Sequence, residues 1–200
     1  MKLEQDYLVN FLYLVQNLIA RQVNLVKLEG EPREICGVDV AYKGEVGVAV
    51  VVCDGENQLV KKATGRVGFP YIPGLLFMRE APLMIRALQD LKPDLLLVDG
   101  HGIAHPRRSG IATVLGVLLN IPTIGVAKSR LVGEVVEENG VNYIVLNGEK
   151  VGVKVGKYYY SPGNLVSLDD VIKLSRMGYP RVLREADRLS KVYRNDLKLS

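Results

Sequence analysis

Apolar residues near the N-terminus recur every three or four positions, which is the spacing of one helix face. They are Leu8, Phe11, Leu12, Val15, Leu18 and Ile19. From residue 35 the pattern changes to three runs rich in β-branched residues, at 35–42, 46–53 and 58–67, separated by Lys43-Gly44 and Asp54-Gly55. Such pairs are typical of turns. The pattern therefore predicts an amphipathic helix followed by three antiparallel strands.

The middle of the chain alternates between helical and strand-like segments. A helix is predicted at 75–91, where Pro82 should bend or restart it, and another at 110–119. Short apolar strands are predicted at 95–98 and 123–126. Strands that alternate with helices in this way usually pair in parallel.

The last third of the chain is predicted to contain three short strands and two helices. The strands are expected at 132–136, 142–146 and 151–160, and the helices at 168–177 and 181–193. Three antiparallel strands followed by parallel strands and helices is the element order of the ribonuclease H-like fold. We therefore predict an α/β fold with a mixed sheet flanked by helices. With no repeat or linker in the sequence, residues 1–200 are expected to form a single domain.

The composition is that of an ordinary globular protein, with 48% hydrophobic and 24% charged residues, which excludes a disordered chain or a coiled coil. No segment is apolar enough to cross a bilayer, and acidic residues stand where a signal peptide would be basic. We expect a cytoplasmic protein without membrane contact. Residues 173–198 hold eight Lys or Arg against three acids. This excess suits a polyanionic partner, although a solvated helix face is the commoner explanation.

The two cysteines, Cys36 and Cys53, do not suffice for a cysteine-rich zinc module. A hairpin turn at Gly44-Glu45 would place them opposite each other. A disulfide is then geometrically possible, but a reducing cytoplasm favours free thiols, which is what we expect.

Two aspartates lie at positions where a strand is otherwise apolar. Asp39 interrupts the run 35–41, and Asp99 ends the run 95–99. A buried carboxylate is costly unless it is paired or bound to a metal. Each could be explained by a salt bridge or a turn. On strands expected to be neighbours, however, the two together favour a divalent-metal site with the oxygen ligands that Mg²⁺ or Mn²⁺ prefer.

Two further charged residues are candidates for the same site. Glu80 lies on the helix expected to face the sheet, and it could hold a metal-bound water or a second ion. Lys128 follows the last parallel strand, where α/β sheets place ligands. An ordinary surface ion pair and an ordinary loop lysine are the alternatives. His101 and His105 are four residues apart, as in a helical zinc site, but the surrounding glycines and Pro106 favour a loop, which argues against such a site.

A rigid loop precedes the Glu80 helix. Two prolines flank an aromatic and a branched residue in Pro70-Tyr71-Ile72-Pro73-Gly74. Tyr71 and Ile72 could pack into the core. Alternatively the loop could act as a wedge in a stack of bases, since inserted apolar and aromatic side chains unstack nucleic acids. Tyr158-Tyr159-Tyr160 could also stack on bases.

The sequence resembles the endonuclease V family along nearly its whole length and in the correct order. The matching stretches are Gly37-Val38-Asp39-Val40, Pro70-Tyr71-Ile72-Pro73-Gly74, Arg79-Glu80-x-Pro82, Val98-Asp99-Gly100-His101-Gly102-Ile103-Ala104-His105-Pro106-Arg107, Gly125-Val126-Ala127-Lys128-Ser129 and Tyr160-Ser161-Pro162-Gly163.

The resemblance implies a ribonuclease H-like fold and a DNA repair activity. The family hydrolyses the second phosphodiester bond 3′ to a deaminated purine, chiefly hypoxanthine, with Mg²⁺ (Mn²⁺ is expected to substitute). The ends produced are 3′-hydroxyl and 5′-phosphate. Inosine-containing single-stranded RNA as the substrate, and a catalytically silent binder of damaged nucleic acid, remain alternatives. A monomer is expected.

The resemblance also assigns roles to residues. Asp39 and Asp99 would be metal ligands, with Glu80 completing the set, and Asp187 is a weaker candidate from the last helix. Lys128 would contact the reacting phosphate. Tyr71, with Ile72 and Pro73, would form the wedge beside the displaced base. The pocket for that base would be lined by Gly74, Leu76, Gly100 and Gly102.

Overall fold

The computed structural model describes residues 2–55 and 58–197, and for residues 2–6 it describes the backbone alone. The helices within these ranges are α1 (Lys2–Arg21), α2 (Leu76–Leu88), α3 (Ile111–Leu119), α4 (Leu168–Ser175) and α5 (Arg181–Asn195). The strands are β1 (Ile35–Lys43), β2 (Val46–Asp54), β3 (Leu59–Arg66), β4 (Leu95–Asp99), β5 (Thr123–Ala127), β6 (Glu134–Glu138), β7 (Val141–Leu146), β8 (Glu149–Val155) and β9 (Tyr158–Asn164).

The described strands form a single sheet in the order β3-β2-β1-β4-β5-β9-β8-β7-β6. Strands β1, β2 and β3 pair antiparallel, whereas β4 runs parallel to both β1 and β5. This arrangement confirms the predicted ribonuclease H-like fold with its mixed sheet. It also places β1 beside β4, so that two strands distant in sequence end near each other.

Helices cover the first half of the sheet on both faces. On β2, Ala49 and Val51 point into the core that α2 and α3 share, while Val48 and Val50 point toward α5. Burial on both faces explains why this strand shows no polar alternation. Helix α5 lies very close to β1, because a Cβ on Gly37 would stand 2.7 Å from the backbone of Val182. Glycine at this position lets α5 approach the centre of the sheet.

Two details of the predicted elements are wrong. Residues 151–160 do not form one strand, because the chain turns at Gly156, which has φ +57°, and so separates β8 from β9. Helix α2 runs through Pro82 without a restart. It ends at Leu88 and not at residue 91, since the chain leaves the helical conformation and Asp90 adopts φ +68°.

The two cysteines form a disulfide, contrary to the expected free thiols. The turn at Gly44-Glu45 is confirmed, and its register pairs Cys36 directly with Cys53 across β1 and β2. Their Cα atoms lie 3.9 Å apart, which brings the sulfurs together. The expectation rested on the redox state of the cytoplasm, whereas the bond follows from the hairpin geometry.

Among the helices of the described residues, none combines the length and the apolar character that crossing a membrane requires.

Candidate active site

The sheet brings two predicted carboxylates together. Val38 pairs with Val98 across the parallel strands β1 and β4, so the next residues, Asp39 and Asp99, are neighbours at the carboxyl end of β4. Helix α5 adds Asp187. One carboxylate oxygen from each of the three lies within 4.8 Å of the others. Three converging carboxylates are an oxygen-ligand set suited to a hard divalent cation.

Lys128 lies among these acids, directly after β5. Its Nζ donates to Asp99 Oδ2 at 2.6 Å and to Asp187 Oδ1 at 3.0 Å. Burial opposes the charge of the ammonium group, but the two carboxylates outweigh it and raise the pKa of Lys128. Asp187 also accepts from Lys191 Nζ at 2.6 Å. Although burial raises the pKa of Asp187, the two lysines lower it overall.

Asp39 is the most enclosed of the three carboxylates, with 8% of its surface exposed. Ser190 Oγ on α5 donates to its Oδ2 at 3.2 Å. The pKa of Asp39 is raised to about 7, mainly by burial and secondly by the charge of the neighbouring Asp99. Burial and the neighbouring carboxylate thus both disfavour the charged form of Asp39 in the absence of a compensating positive charge.

Glu80 occupies the opposite wall, on α2. It is buried, and Tyr42 Oη donates to its Oε1 at 3.0 Å. The Arg79 guanidinium lies 4.9 Å from the centre of the Tyr42 ring. Burial raises the pKa of Glu80 to about 8, with further raising by the Asp39 and Asp99 charges. Glu80 is not one of the three acids that converge within 4.8 Å, but it lines the same cavity.

A cavity of about 640 Å³ opens beside the carboxylates. Three of the four predicted pocket residues line it, namely Gly74, Leu76 and Gly100, and so does Tyr71 of the predicted wedge. Ile72, Pro73 and Gly102 lie outside its lining. The Tyr71 side chain is 67% exposed, whereas Ile72 packs against the core. The rigid loop is therefore anchored by Ile72 and presents Tyr71 to solvent.

The glycines of the loop after β4 are engaged in close packing. The Gly102 N–H donates to Ser161 Oγ at 2.8 Å, and a Cβ there would lie 2.0 Å from the Pro162 carbonyl oxygen. The Gly100 N–H donates to the Val126 carbonyl at 3.2 Å. These N–H groups hold the loop against β5 and β9, so they are already occupied as hydrogen-bond donors.

Sequence reasoning missed the polar cluster that supports the cavity floor. The Gly74 carbonyl accepts from Gln16 Nε2, His105 Nε2 and Arg107 Nη2 at 2.9, 3.0 and 3.1 Å. Burial lowers the pKa of His105 to about 4, so its imidazole is neutral. For Gln16 no sequence signal existed, because a glutamine in an apolar helix looks like an exposed residue.

Tyr179 is a second residue near the site that no sequence pattern indicated. Its ring stacks on Tyr158 with centroids 4.3 Å apart, and its hydroxyl is buried without a hydrogen-bond partner among the described residues. Burial, and then the charge of Asp99, raise the pKa of Tyr179. The hydroxyl is thus placed near the acids as an unused donor.

Comparison with known proteins agrees with this geometry. A family model described as Endonuclease V matches residues 17–188. Endonuclease V of Sulfolobus acidocaldarius is 58% identical over 189 residues, which are 94% of this chain and 96% of that protein. Endonuclease V of Sulfurisphaera tokodaii is 56% identical over 189 residues, again 94% of this chain and 96% of that protein.

Solved structures show the same fold. The crystal structure of Endonuclease V from Streptomyces avermitilis is 32% identical and has a TM-score of 0.82, covering 91% of each chain. Endonuclease V of Ciona intestinalis, in complex with a 24mer DNA containing an inosine followed by a ribo-adenosine, has a TM-score of 0.81 at 24% identity. It covers 98% of this chain and 100% of its own. By its sequence match over most of its length, this chain belongs to the endonuclease V family of nucleases.

Proposed function

We propose that this protein is a metal-dependent DNA repair endonuclease acting on deaminated purines, chiefly deoxyinosine. It would hydrolyse the second phosphodiester bond 3′ to the lesion and leave 3′-hydroxyl and 5′-phosphate ends. The observation that carries the proposal is the convergence of Asp39, Asp99 and Asp187 beside a cavity flanked by the exposed Tyr71. The inosine-containing DNA bound by the Ciona intestinalis relative supports the substrate.

The three aspartates are the residues that would hold the cation, and Mg²⁺ is the proposed ion, with Mn²⁺ able to replace it. Three carboxylate oxygens are the donors that such hard ions prefer. A bound divalent ion would supply charge neutralisation at the phosphate and a more acidic water. Glu80, on the opposite wall, is proposed to orient that water through its carboxylate.

Lys128 has a proposed role that follows from its ion pairs. In the structure its ammonium group neutralises Asp99 and Asp187 at 2.6 and 3.0 Å. A cation bound by these acids would take over that neutralisation and free Lys128. The ammonium group would then reach the scissile phosphate and stabilise the charge that develops there.

Lesion recognition is proposed for the other end of the cavity. A volume of about 640 Å³ falls in the range of small-molecule pockets and suits a flipped base. Tyr71 would fill the space that the base leaves in the stack. Because the anchored residue Ile72 and two prolines stiffen the loop, the wedge loses little conformational entropy on binding.

The test separates cleavage from binding. Asp39→Ala and Asp99→Ala should abolish cleavage of an inosine-containing duplex in Mg²⁺ while leaving its binding in EDTA largely intact. Asp94→Ala is the matched control. Asp94 lies directly before β4, at the opposite end of the strand from Asp99, and accepts hydrogen bonds from the backbone N–H groups of Arg33 and Glu34. This variant should cleave like the unmodified protein. Cleavage retained by either active-site variant would refute the metal assignment.

A further inference from the structure

Two basic side chains on α5 line the same cavity as the three aspartates. They are Lys191 and Arg194, which lie four and seven residues after Asp187 and therefore share its face of the helix. At 1.5 Å per residue they stand about 6 Å and about 10 Å beyond Asp187 along the helix axis. A row of positive charge thus leads away from the aspartates along the cavity wall.

Both side chains keep hydrogen-bond donors that the fold does not use. The Lys191 side chain is 53% exposed, and its Nζ donates to Asp187 Oδ2 at 2.6 Å, which occupies one of its three N–H groups. The Arg194 guanidinium donates to Asn195 Oδ1 at 3.2 and 3.0 Å, and no carboxylate among the described residues forms an ion pair with it. Both groups are therefore available to an anion.

Two other arginines of α5 have carboxylate partners and lie outside this cavity. Arg181 pairs with Asp54, and Arg188 pairs with Glu185 at 2.9 Å. A solvated helix face with surface ion pairs accounts for these residues. It does not account for Arg194, which is half-buried in the cavity wall without a carboxylate partner among the residues described.

The C-terminal half of α5 is fixed in place on the sheet. Ser190 Oγ donates to Asp39 Oδ2 at 3.2 Å, and Lys43 Nζ donates to the carbonyl of Leu197, just after the helix, at 2.6 Å. Ala186 is buried against β2. Because these contacts tie α5 to β1 and β2, a ligand that binds the row does not have to order a mobile segment.

The two ends of the cavity lie on opposite faces of the sheet. Gly74 and Leu76 lie at the start of α2, which packs on one face, whereas α5 packs on the other. The carboxylates at the ends of β1 and β4 lie between them. A DNA strand with its displaced base at the α2 end and its scissile phosphate at the carboxylates would continue toward α5. Since the proposed cut is 3′ to the lesion, that continuation is the 3′ side of the strand.

We propose that Lys191 and Arg194 bind the phosphates on the 3′ side of the cut bond and hold the strand across the carboxylates. This role rests on the proposed function, because the position of the cut sets the direction of the strand. The row is about 10 Å long, and one strand of B-form DNA carries a phosphate about every 3.4 Å, so two or three successive phosphates fit along it. Such contacts position the strand without reading its sequence.

Binding to inosine-containing duplexes in EDTA, measured by fluorescence anisotropy, tests this role. Each phosphate contact contributes about eightfold to the affinity at about 0.1 M salt and about 0.9 to the slope of log affinity against log salt. On a duplex with long arms on both sides of the lesion, Arg194→Gln should lose about these amounts, and so should Lys191→Gln.

Shortening one arm of the duplex locates the contact. When the duplex ends just beyond the cut bond, the unmodified protein and both variants should bind equally, because the phosphates that the two side chains contact are missing. Shortening the 5′ arm instead should leave the eightfold difference in place.

Arg188→Gln is the matched control, because it removes the same charge from the same helix outside the cavity. On every duplex it should change the affinity less than about twofold, since salt screens a charge that makes no contact. A loss for Arg194→Gln that persists without the 3′ arm, or no loss on any duplex, would overturn this role even if the unmodified protein cleaves inosine-containing DNA. A loss that depends on the 3′ arm, in a protein that does not cleave such DNA in Mg²⁺, would refute the proposed function and keep this binding surface.

Discussion

The substitution Asp39→Asn should raise the stability of the metal-free protein while it destroys the proposed active site. Asp39 is 8% exposed, and its pKa is raised to about 7, mainly by burial and then by the charge of Asp99. The pKa of an unfolded aspartate is 3.8. Between pH 3.8 and about 7 the native state therefore holds a proton that the unfolded chain releases. Above about pH 7 the buried carboxylate is charged and destabilises the fold.

The size of the effect follows from proton linkage. A difference of about three pKa units, at about 1.4 kcal/mol each, corresponds to about 4 kcal/mol above pH 7. The contribution of Asp39 to the free energy of unfolding is fully present below pH 3.8, where the carboxyl group is neutral in both states. It is lost as the pH rises through about 7. Asparagine keeps the shape and the acceptor for Ser190 but carries no charge. For a chain of this length, about 4 kcal/mol corresponds to roughly 10 °C in the unfolding midpoint.

Thermal unfolding in EDTA measures this difference. At about pH 4 the unmodified protein and Asp39→Asn should unfold at similar temperatures, whereas at about pH 8 the variant should unfold about 10 °C higher. Asp94→Asn is the control, because backbone hydrogen bonds from Glu34 and Arg33 lower the pKa of Asp94. It should gain no stability at high pH. A variant at residue 39 that is less stable than the unmodified protein at pH 8 would refute the reasoning.

Three further predictions concern other residues. Lys128→Gln should bind Mn²⁺ at least as tightly as the unmodified protein, because no ammonium group competes for the acids, and calorimetry measures this affinity. The variant should nevertheless cleave about 100-fold more slowly. Weaker metal binding would contradict the proposed role of Lys128. Tyr71→Ala should lower the preference for inosine over undamaged DNA in competition cleavage, and an unchanged preference would exclude the wedge. Replacing Cys36 and Cys53 together by alanine should cost about 3 kcal/mol in urea unfolding, because the disulfide spans 17 residues. A reducing agent should cause a similar loss in the unmodified protein alone.

The order of strands and the pairing of Asp39 with Asp99 were accessible from the sequence because both rest on local patterns. A β-branched run, a turn pair and a carboxylate within an apolar strand are each visible without the fold. The break at Gly156 was not predicted, since Lys157 and three tyrosines continue the strand-like composition on its far side. The predicted bend or restart of the helix at Pro82 was wrong, because the tertiary packing of α2 outweighs the one hydrogen bond that proline removes.

Residues that act through distant contacts were invisible in the sequence. Gln16 meets Gly74 and Ser109 from 58 and 93 positions away, and no local pattern announces such contacts. The predicted apolar face of α1 is only partly buried, because Leu12 and Ile19 are buried whereas Phe11 and Leu18 are exposed. Periodicity shows that a helix is amphipathic, but when apolar residues occupy more than one stripe it does not show which stripe meets the core.

The most direct test of the central claim is the cleavage pattern of end-labelled oligonucleotides that carry one inosine, as DNA and as RNA, in Mg²⁺ and in EDTA. We expect a Mg²⁺-dependent cut at the second phosphodiester bond 3′ to inosine in DNA, with a 5′-phosphate on the released fragment. Cleavage of the RNA alone would move the activity to RNA. Binding of inosine-containing DNA without any cleavage in Mg²⁺ would contradict the account.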